Sequence, residues 1–247
     1  MKKSLGKDEL RELFKEIGGR MQKPTVVFLL GGGAMCFRNQ KNATKDLDVV
    51  FRNSEDCSEF VKAVRGMGFK QVLKLEQEYE RMGAASIWED ENGFRFDLFV
   101  KTVCGALKLS ERIIKRSEVL GEFSRLTVKI LSSEDVVLFK GITQRPDDVN
   151  DIAAIVRTSG VDWDIILDEC ILQSRVEAWY GLLYDKLVEL KEKHGVDAPI
   201  MKELLKLDRE AVLREAYWEL RKRGVRRKEA LEMLKERGFT KKELEFL

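Results

Sequence analysis

In the first half of the chain, apolar residues come in short runs separated by glycines and charged spacers. Thr25–Leu30 (TVVFLL) is continuous, β-branched and apolar, as in a strand covered on both faces. Gly31-Gly32-Gly33 breaks it, and Ala34–Phe37 reads as the start of a short helix. Asp46–Phe51 (DLDVVF) and Leu126–Leu131 predict two further strands. Ala85–Trp88 and Phe94–Val100 flank Asn92-Gly93, a dipeptide that tolerates the positive φ of a tight hairpin, so these runs predict an antiparallel pair. Helical spacing appears at Asp8–Ile17, through Leu10, Leu13, Phe14 and Ile17, and at Ser58–Met67, through Phe60, Val61 and Val64.

From Ser132 onward the period becomes helical almost without interruption. Helices are predicted near 134–142, 147–158, 163–174, 176–193, 199–206, 209–222, 226–237 and 241–246. Gly160, Gly195, Gly224 and Gly238 act as stops, and Thr240 with Glu243 forms a capping box. The fold class expected is α+β: a small mixed β-sheet core with flanking helices over residues 1–131, then a helical domain over 132–247.

Composition narrows the function classes. Lys and Arg nearly balance Asp and Glu, for a net charge of +2, so any electrostatic partner site must be local. Cys36, Cys57, Cys104 and Cys170 form no CxxC, and with a single histidine an ordinary zinc site is nearly excluded. Scattered thiols suit a reducing cytoplasm. The charged stretch Met1–Arg20 lacks a signal-peptide apolar segment, and the run around Val26–Leu30 is far too short to cross a bilayer, so no membrane association is expected.

The chemistry concentrates in Asp46-Leu47-Asp48. Residues two apart on a strand share a face, so both acids project together from an otherwise apolar strand. Two close carboxylates repel, and a divalent cation with its taste for hard oxygens relieves that cost. On its own such a pair is more readily two solvated acids, and the glycines alone are at least as readily a tight strand-to-helix turn.

Taken together, Leu30-Gly31-Gly32, thirteen intervening residues and Asp46-Leu47-Asp48 resemble the signature of the nucleotidyltransferase superfamily that includes DNA polymerase β. That resemblance implies a third carboxylate on a later strand. Asp97 in Phe94–Val100 supplies it, with pairing to Arg95 as the competing role. Arg38, then Thr44-x-Asp46-x-Asp48, is similar to the minimal nucleotidyltransferases related to abortive-infection toxins. In these a following helix carries a lysine, then an arginine and acids, matched here by Lys140, Arg145, Asp148 and Asp151.

The resemblance spans roughly residues 24–155 and implies binding of a nucleoside triphosphate, ATP among the candidates, and transfer of its nucleotidyl group. By it, Asp46, Asp48 and Asp97 are the catalytic and metal-binding residues for Mg²⁺ or Mn²⁺. Gly31, Gly32, Gly33, Thr44 and Lys140 bind the nucleotide, Arg145 and Asp148 brace the junction of the two halves, and Asp151 is structural, with a helix-surface salt-bridge set as the equal alternative for Lys140. The acceptor is RNA, protein or a small molecule. The alternative is a non-enzymatic nucleotide- or nucleic-acid-binding regulatory module on the same fold, and a toxin of a toxin–antitoxin pair is a third option. The mechanism requires the two acidic strands to be neighbours, with Asp97 on the face of Asp46 and Asp48, the glycines at the edge of the same cleft and Lys140 across it.

Outside that region, Arg221–Lys228 holds six cations in eight residues at a helix–turn–helix junction. Arg221, Arg223, Arg226 and Arg227 there are candidates for contact with an RNA acceptor, against a merely solvated helix end. His194 reads as a helix-end residue, and Trp179, Tyr180 and Tyr184 as core packing or, alternatively, a stacking surface for a base.

Overall fold

The computed structural model describes residues 3–72, 84–143, 145–245 and 247. Seven strands form one mixed sheet in the order β3-β4-β5-β2-β1-β9-β8. They are β1 (Thr25–Leu29), β2 (Asp46–Phe51), β3 (Lys70–Gln71), β4 (Ser86–Glu89), β5 (Arg95–Val100), β8 (Glu118–Phe123) and β9 (Leu126–Ile130); β6 (Thr102–Val103) and β7 (Leu107–Lys108) form a separate small hairpin. β2 and β5 run parallel, as do β1 and β9, whereas β1 and β2 are antiparallel. β4 and β5 pair antiparallel around the Asn-Gly turn, where Gly93 takes φ +77.

The apolar alternation fixes which way each side chain points. Phe60 lies on α3 (Ser54–Gly66) and meets Phe51 of β2 at 5.4 Å and Phe96 of β5 at 5.3 Å, both edge-on. Leu47, Val49, Phe51, Phe96 and Leu98 therefore belong to the face covered by α3, and Asp46, Asp48, Arg95 and Asp97 to the other. The helix α1 (Lys7–Arg20) lies beside α3 and reaches β8 and β9. Its Gly18 is in close contact with the carbonyl of Phe123, where an added Cβ would sit 1.7 Å from the oxygen.

The glycines do not break the chain before a helix; they are its first turn. Helix α2 spans Gly31–Phe37, three residues earlier than the spacing predicts. Three glycines are poor helix formers, and packing overrides that propensity here. A Cβ on Gly32 would stand 2.5 Å from Thr44 Oγ1, and one on Gly33 would stand 2.5 Å from Leu47 Cδ2.

The helical half comprises α5 (Ser133–Ile142), α6 (Asp148–Ser159), α7 (Trp163–Gln173), α8 (Tyr180–His194), α9 (Met201–Lys222), α10 (Arg227–Glu236) and α11 (Lys241–Leu244). Residues 199–206 and 209–222, expected as two helices, belong to the single helix α9: no glycine or proline interrupts Leu204–Glu210. The helix expected from 176 begins at Tyr180. Three features escaped the pattern: the short helix α4 (Glu111–Arg116), the β6–β7 hairpin and the edge strand β8, whose residues are mostly exposed or half-buried.

One apolar core runs without interruption from Leu5 to Leu204, across residues 131–132, and a second, smaller cluster holds Leu213, Tyr217, Leu220, Ala230, Leu234 and Leu244. Tyr180 is buried in the main core, and Trp179 and Tyr184 pack against it. Half-buried Arg116 ties α4 to the helical half: its guanidinium lies 2.5 Å from buried Asp135 of α5 and 2.7 Å from buried Glu169 of α7. Among the described residues no helix is long and apolar enough to cross a membrane.

Candidate active site

β2 and β5 lie side by side, with Asp46 in register with Arg95 and Asp48 with Asp97. Parallel partners project to the same face, so sequence positions nearly fifty apart bring Asp97 beside Asp48, with Asp46 one pleat away. Asp97 is 1% exposed, while Asp46 and Asp48 are half-buried.

Arg95 shares this face and serves two acids at once. Its Nη2 donates to Asp97 Oδ2 at 3.0 Å and to Asp46 Oδ2 at 3.3 Å, and its Nε is 2.7 Å from Asp97 Oδ1. Arg95 thus pairs with Asp97, the competing role set out from sequence, and also bridges to Asp46, which sequence proximity did not suggest.

The electrostatics follow from this geometry. Burial lifts the Asp48 carboxyl to about 7, helped by the charges of Asp46 and Asp97 and opposed by Arg145 and Lys140. Burial also raises Asp97 to about 6, with Arg95 pulling it down and Asp46 pushing it up. Arg145 and Lys140 belong to the helical half, so that half lends positive potential to Asp48.

Lys140 itself is buried and engaged. Its Nζ donates to Asp148 at 2.7 Å and is paired with Asp151 at 2.7 Å, and Asp151 also meets Lys41 at 3.4 Å. Desolvation works against the Lys140 charge, but Asp148 and Asp151 outweigh it and raise its pKa. Thr143 donates a further hydrogen bond to Asp148.

The glycine turn closes on the acids from the end of β1. Gly31 has φ +55, and a Cβ there would lie 2.1 Å from Asp48 Oδ2, so only glycine lets this carboxylate stand against the backbone. The backbone continues the sheet here, with Leu30 N–H donating to Asp48 O at 3.2 Å. Thr44 is buried; its hydroxyl donates to Asp46 O at 2.8 Å and reaches Asp46 Oδ1 at 3.4 Å. Arg38 points elsewhere: Nε donates to Leu131 O at 3.2 Å and Nη2 pairs with Glu118 at 3.2 Å, tying the end of α2 to β8 and β9.

Carboxylates held on one face, two of them raised first by burial and then by their acidic neighbours, are the kind of hard oxygen donors that divalent cations take. In the arrangement present, however, no group of three or more acids, cysteines and histidines among the described residues converges tightly enough to hold a metal ion. Arg95 lies between Asp97 and Asp46 and bonds both, so a cation at Asp46 would compete with that guanidinium. His194 ends α8 and contacts Asn150 Oδ1 at 2.9 Å, far in role from this chemistry.

A crystal structure of the lincosamide antibiotic adenylyltransferase LnuA, bound to lincomycin, is similar at 14% sequence identity and a TM-score of 0.43, covering 64% of this chain and all of that one. A likeness that distant carries no information about acceptor or residue roles. No curated protein matches the chain. The profile of a family described as "Nucleotidyltransferase of unknown function (DUF6036)" matches residues 8–189, most of the chain and all of the sheet with its acidic face. The chain therefore belongs to that family of nucleotidyltransferases.

Proposed function

We propose that the protein transfers a nucleoside monophosphate from a nucleoside triphosphate to an acceptor hydroxyl and releases pyrophosphate, with Asp46, Asp48 and Asp97 as the catalytic acids. The observation that carries this reading is the register of β2 and β5, which sets Asp97 directly beside Asp48. In the transfer, a bond forms between the acceptor oxygen and the α-phosphorus, and the bond to the pyrophosphate oxygen breaks. The acceptor proton goes to Asp97, whose raised pKa favours holding it.

Asp46 and Asp48 would hold Mg²⁺ or Mn²⁺, which when bound neutralises the triphosphate and stabilises the leaving oxygen. Gly31, Gly32 and Gly33 would receive the phosphate tail along the first turn of α2, where backbone N–H groups lack helical partners. Thr44 fixes Asp46, and Arg95 holds Asp97 in line with it. Lys140 and Arg145 contribute positive potential, and Lys140 does so from its buried pairs with Asp148 and Asp151 rather than by direct reach. Positioning and charge neutralisation supply most of the catalysis, as in phosphoryl transfer generally.

A binding module without catalysis is the second reading. It is favoured by one observation: the Arg95 guanidinium already bridges Asp46 and Asp97. The two readings separate on incubating the protein with each labelled NTP, Mg²⁺ or Mn²⁺, and total RNA or total protein. Label appearing on one macromolecule, and lost in Asp48→Asn, supports transfer. Metal-dependent NTP binding without any labelled product supports the binding module. A toxin role would show as growth arrest on expression that Asp48→Asn relieves.

A further inference from the structure

The small C-terminal cluster departs from the rest of the chain in charge. Arg214–Leu247 holds eleven cations against seven acids, a net of +4, leaving the remainder of the chain at −2. Six of those cations crowd into Arg221–Lys228, where no acid intervenes, and all six are exposed.

Their placement argues against a merely solvated helix end. Arg221 and Lys222 close α9, where cations suit the helix dipole. Arg226, Arg227 and Lys228 do the reverse. Arg226 is the N-cap of α10 and makes no side-chain cap bond, and Arg227 and Lys228 are its first two residues. Three positive charges against the positive end of a helix cost stability, where a Ser or Asp cap would add it. Acids offset part of this charge: Lys222 and Arg223 share Glu219, at 3.4 and 4.0 Å, and Glu229 lies in the first turn of α10.

A second observation is independent of charge. Trp218 is 56% exposed on α9. Arg214, four residues before it, and Arg221 and Lys222, three and four residues after it, lie on the same face of the helix and are also exposed. The buried sides of α9 and α10 form the cluster of Leu213, Tyr217, Leu220, Ala230 and Leu234; Trp218 meets Tyr217 edge-on at 5.6 Å, and its helical neighbours at 214, 215, 221 and 222 are all charged, unlike the apolar stripe that a membrane-surface helix needs. An exposed aromatic ring with three cations and one acid, Glu215, as its helical neighbours suits a stacked, unpaired base whose flanking phosphates meet the cations.

We propose that Trp218, with Arg214 and the Arg221–Lys228 cations, forms a binding surface for single-stranded RNA, which names the acceptor of the transfer reaction. The word acceptor rests on the proposed function; the binding surface does not.

The test uses the full chain and a fluorescently labelled, mixed-sequence 12-nucleotide RNA, followed by anisotropy from 50 to 300 mM salt in EDTA without nucleotide. Saturable binding is expected, with a slope of log K against log salt of about −2 to −4, since single strands give about −0.7 per phosphate neutralised. Replacing Arg226, Arg227 and Lys228 with Ser should flatten that slope by about 2. Arg226→Ser alone should weaken binding while holding or raising the melting temperature, because Ser is the better N-cap. Trp218→Ala should weaken binding about 5- to 150-fold with the slope unchanged.

No saturable binding at 50 mM salt, an unchanged slope in the triple variant, or equal affinity in Trp218→Ala would overturn the proposal. So would equal affinity for duplex RNA, or binding to phosphatidylserine vesicles in place of RNA. Binding is read without nucleotide, so its loss leaves the transfer reaction standing, and loss of transfer in Asp48→Asn leaves the RNA surface standing.

Discussion

A single methyl group at Gly31 tests how the acidic face is held. Gly31 sits at φ +55, so alanine there pays the left-handed cost of roughly 1–2 kcal/mol. The new Cβ would also lie 2.1 Å from Asp48 Oδ2. That atom ends a side chain that can turn, so the clash adds little to the loss of stability and falls instead on the carboxylate's position. Gly31→Ala should therefore lower the melting temperature by about 2–8 °C, at about 2–4 °C per kcal/mol for a chain of this size. Displacing a reacting group by about 1 Å costs on the order of 100-fold in rate, and nucleotide transfer should fall by at least that much. Gly19→Ala is the control: nothing lies within 4 Å of its Cβ, and alanine inside α1 should gain roughly 0.5–1 kcal/mol. Calorimetry and the incorporation of labelled nucleotide read both quantities. A Gly31→Ala protein with the parent's melting temperature and turnover would refute the close approach of Asp48 to the glycine turn.

Asp48→Asn should abolish transfer and yet stabilise the metal-free protein at pH 8, because burial and the charges of Asp46 and Asp97 oppose its ionised form; urea unfolding in EDTA that shows a less stable variant would contradict this. Arg116→Ala should cost about 3–5 kcal/mol by stranding Asp135 and Glu169, both 1% exposed, and urea midpoints measure it directly. Glu243 is held down to about 2 by its hydrogen bonds from Arg209 and Thr240, below its ordinary 4.5. A depressed carboxyl stabilises above its unfolded pKa and loses that contribution as pH falls, so the C-terminal cluster should loosen between pH 4.5 and about 2. Trp218 fluorescence should report that step, and Glu243→Gln should lack it.

The strands that carry the site were legible because each is an apolar run with few interruptions, and an acid in such a run stands out. Asp46 and Asp48 announce a shared face by spacing alone. The approach of Asp97 depends on parallel pairing between strands almost fifty residues apart, which no local pattern encodes; the family resemblance supplied that expectation. Arg95 was visible as a neighbour of Asp97, but its reach to Asp46 follows from register. β8 was missed because an edge strand with one face in water loses the apolar signal. The glycine turn was misread for the opposite reason, since contact with Thr44, Leu47 and Asp48 outweighs the low helix propensity of three glycines. The Arg116–Asp135–Glu169 group joins residues 19 and 53 positions apart, and charge in a sequence rich in charge gives no hint of it.

Helix α9 belongs to two cores, with Leu204 in the large one and Leu213, Tyr217 and Leu220 in the small one. A cluster of six buried side chains opens more easily than a seven-stranded sheet and can do so alone. Amide protons of α10 and α11 should then exchange with solvent deuterium through a local opening that leaves the sheet closed. Protection along α9 should fall in a step between Leu204 and Leu213, which makes one continuous helix the border between two cooperative units.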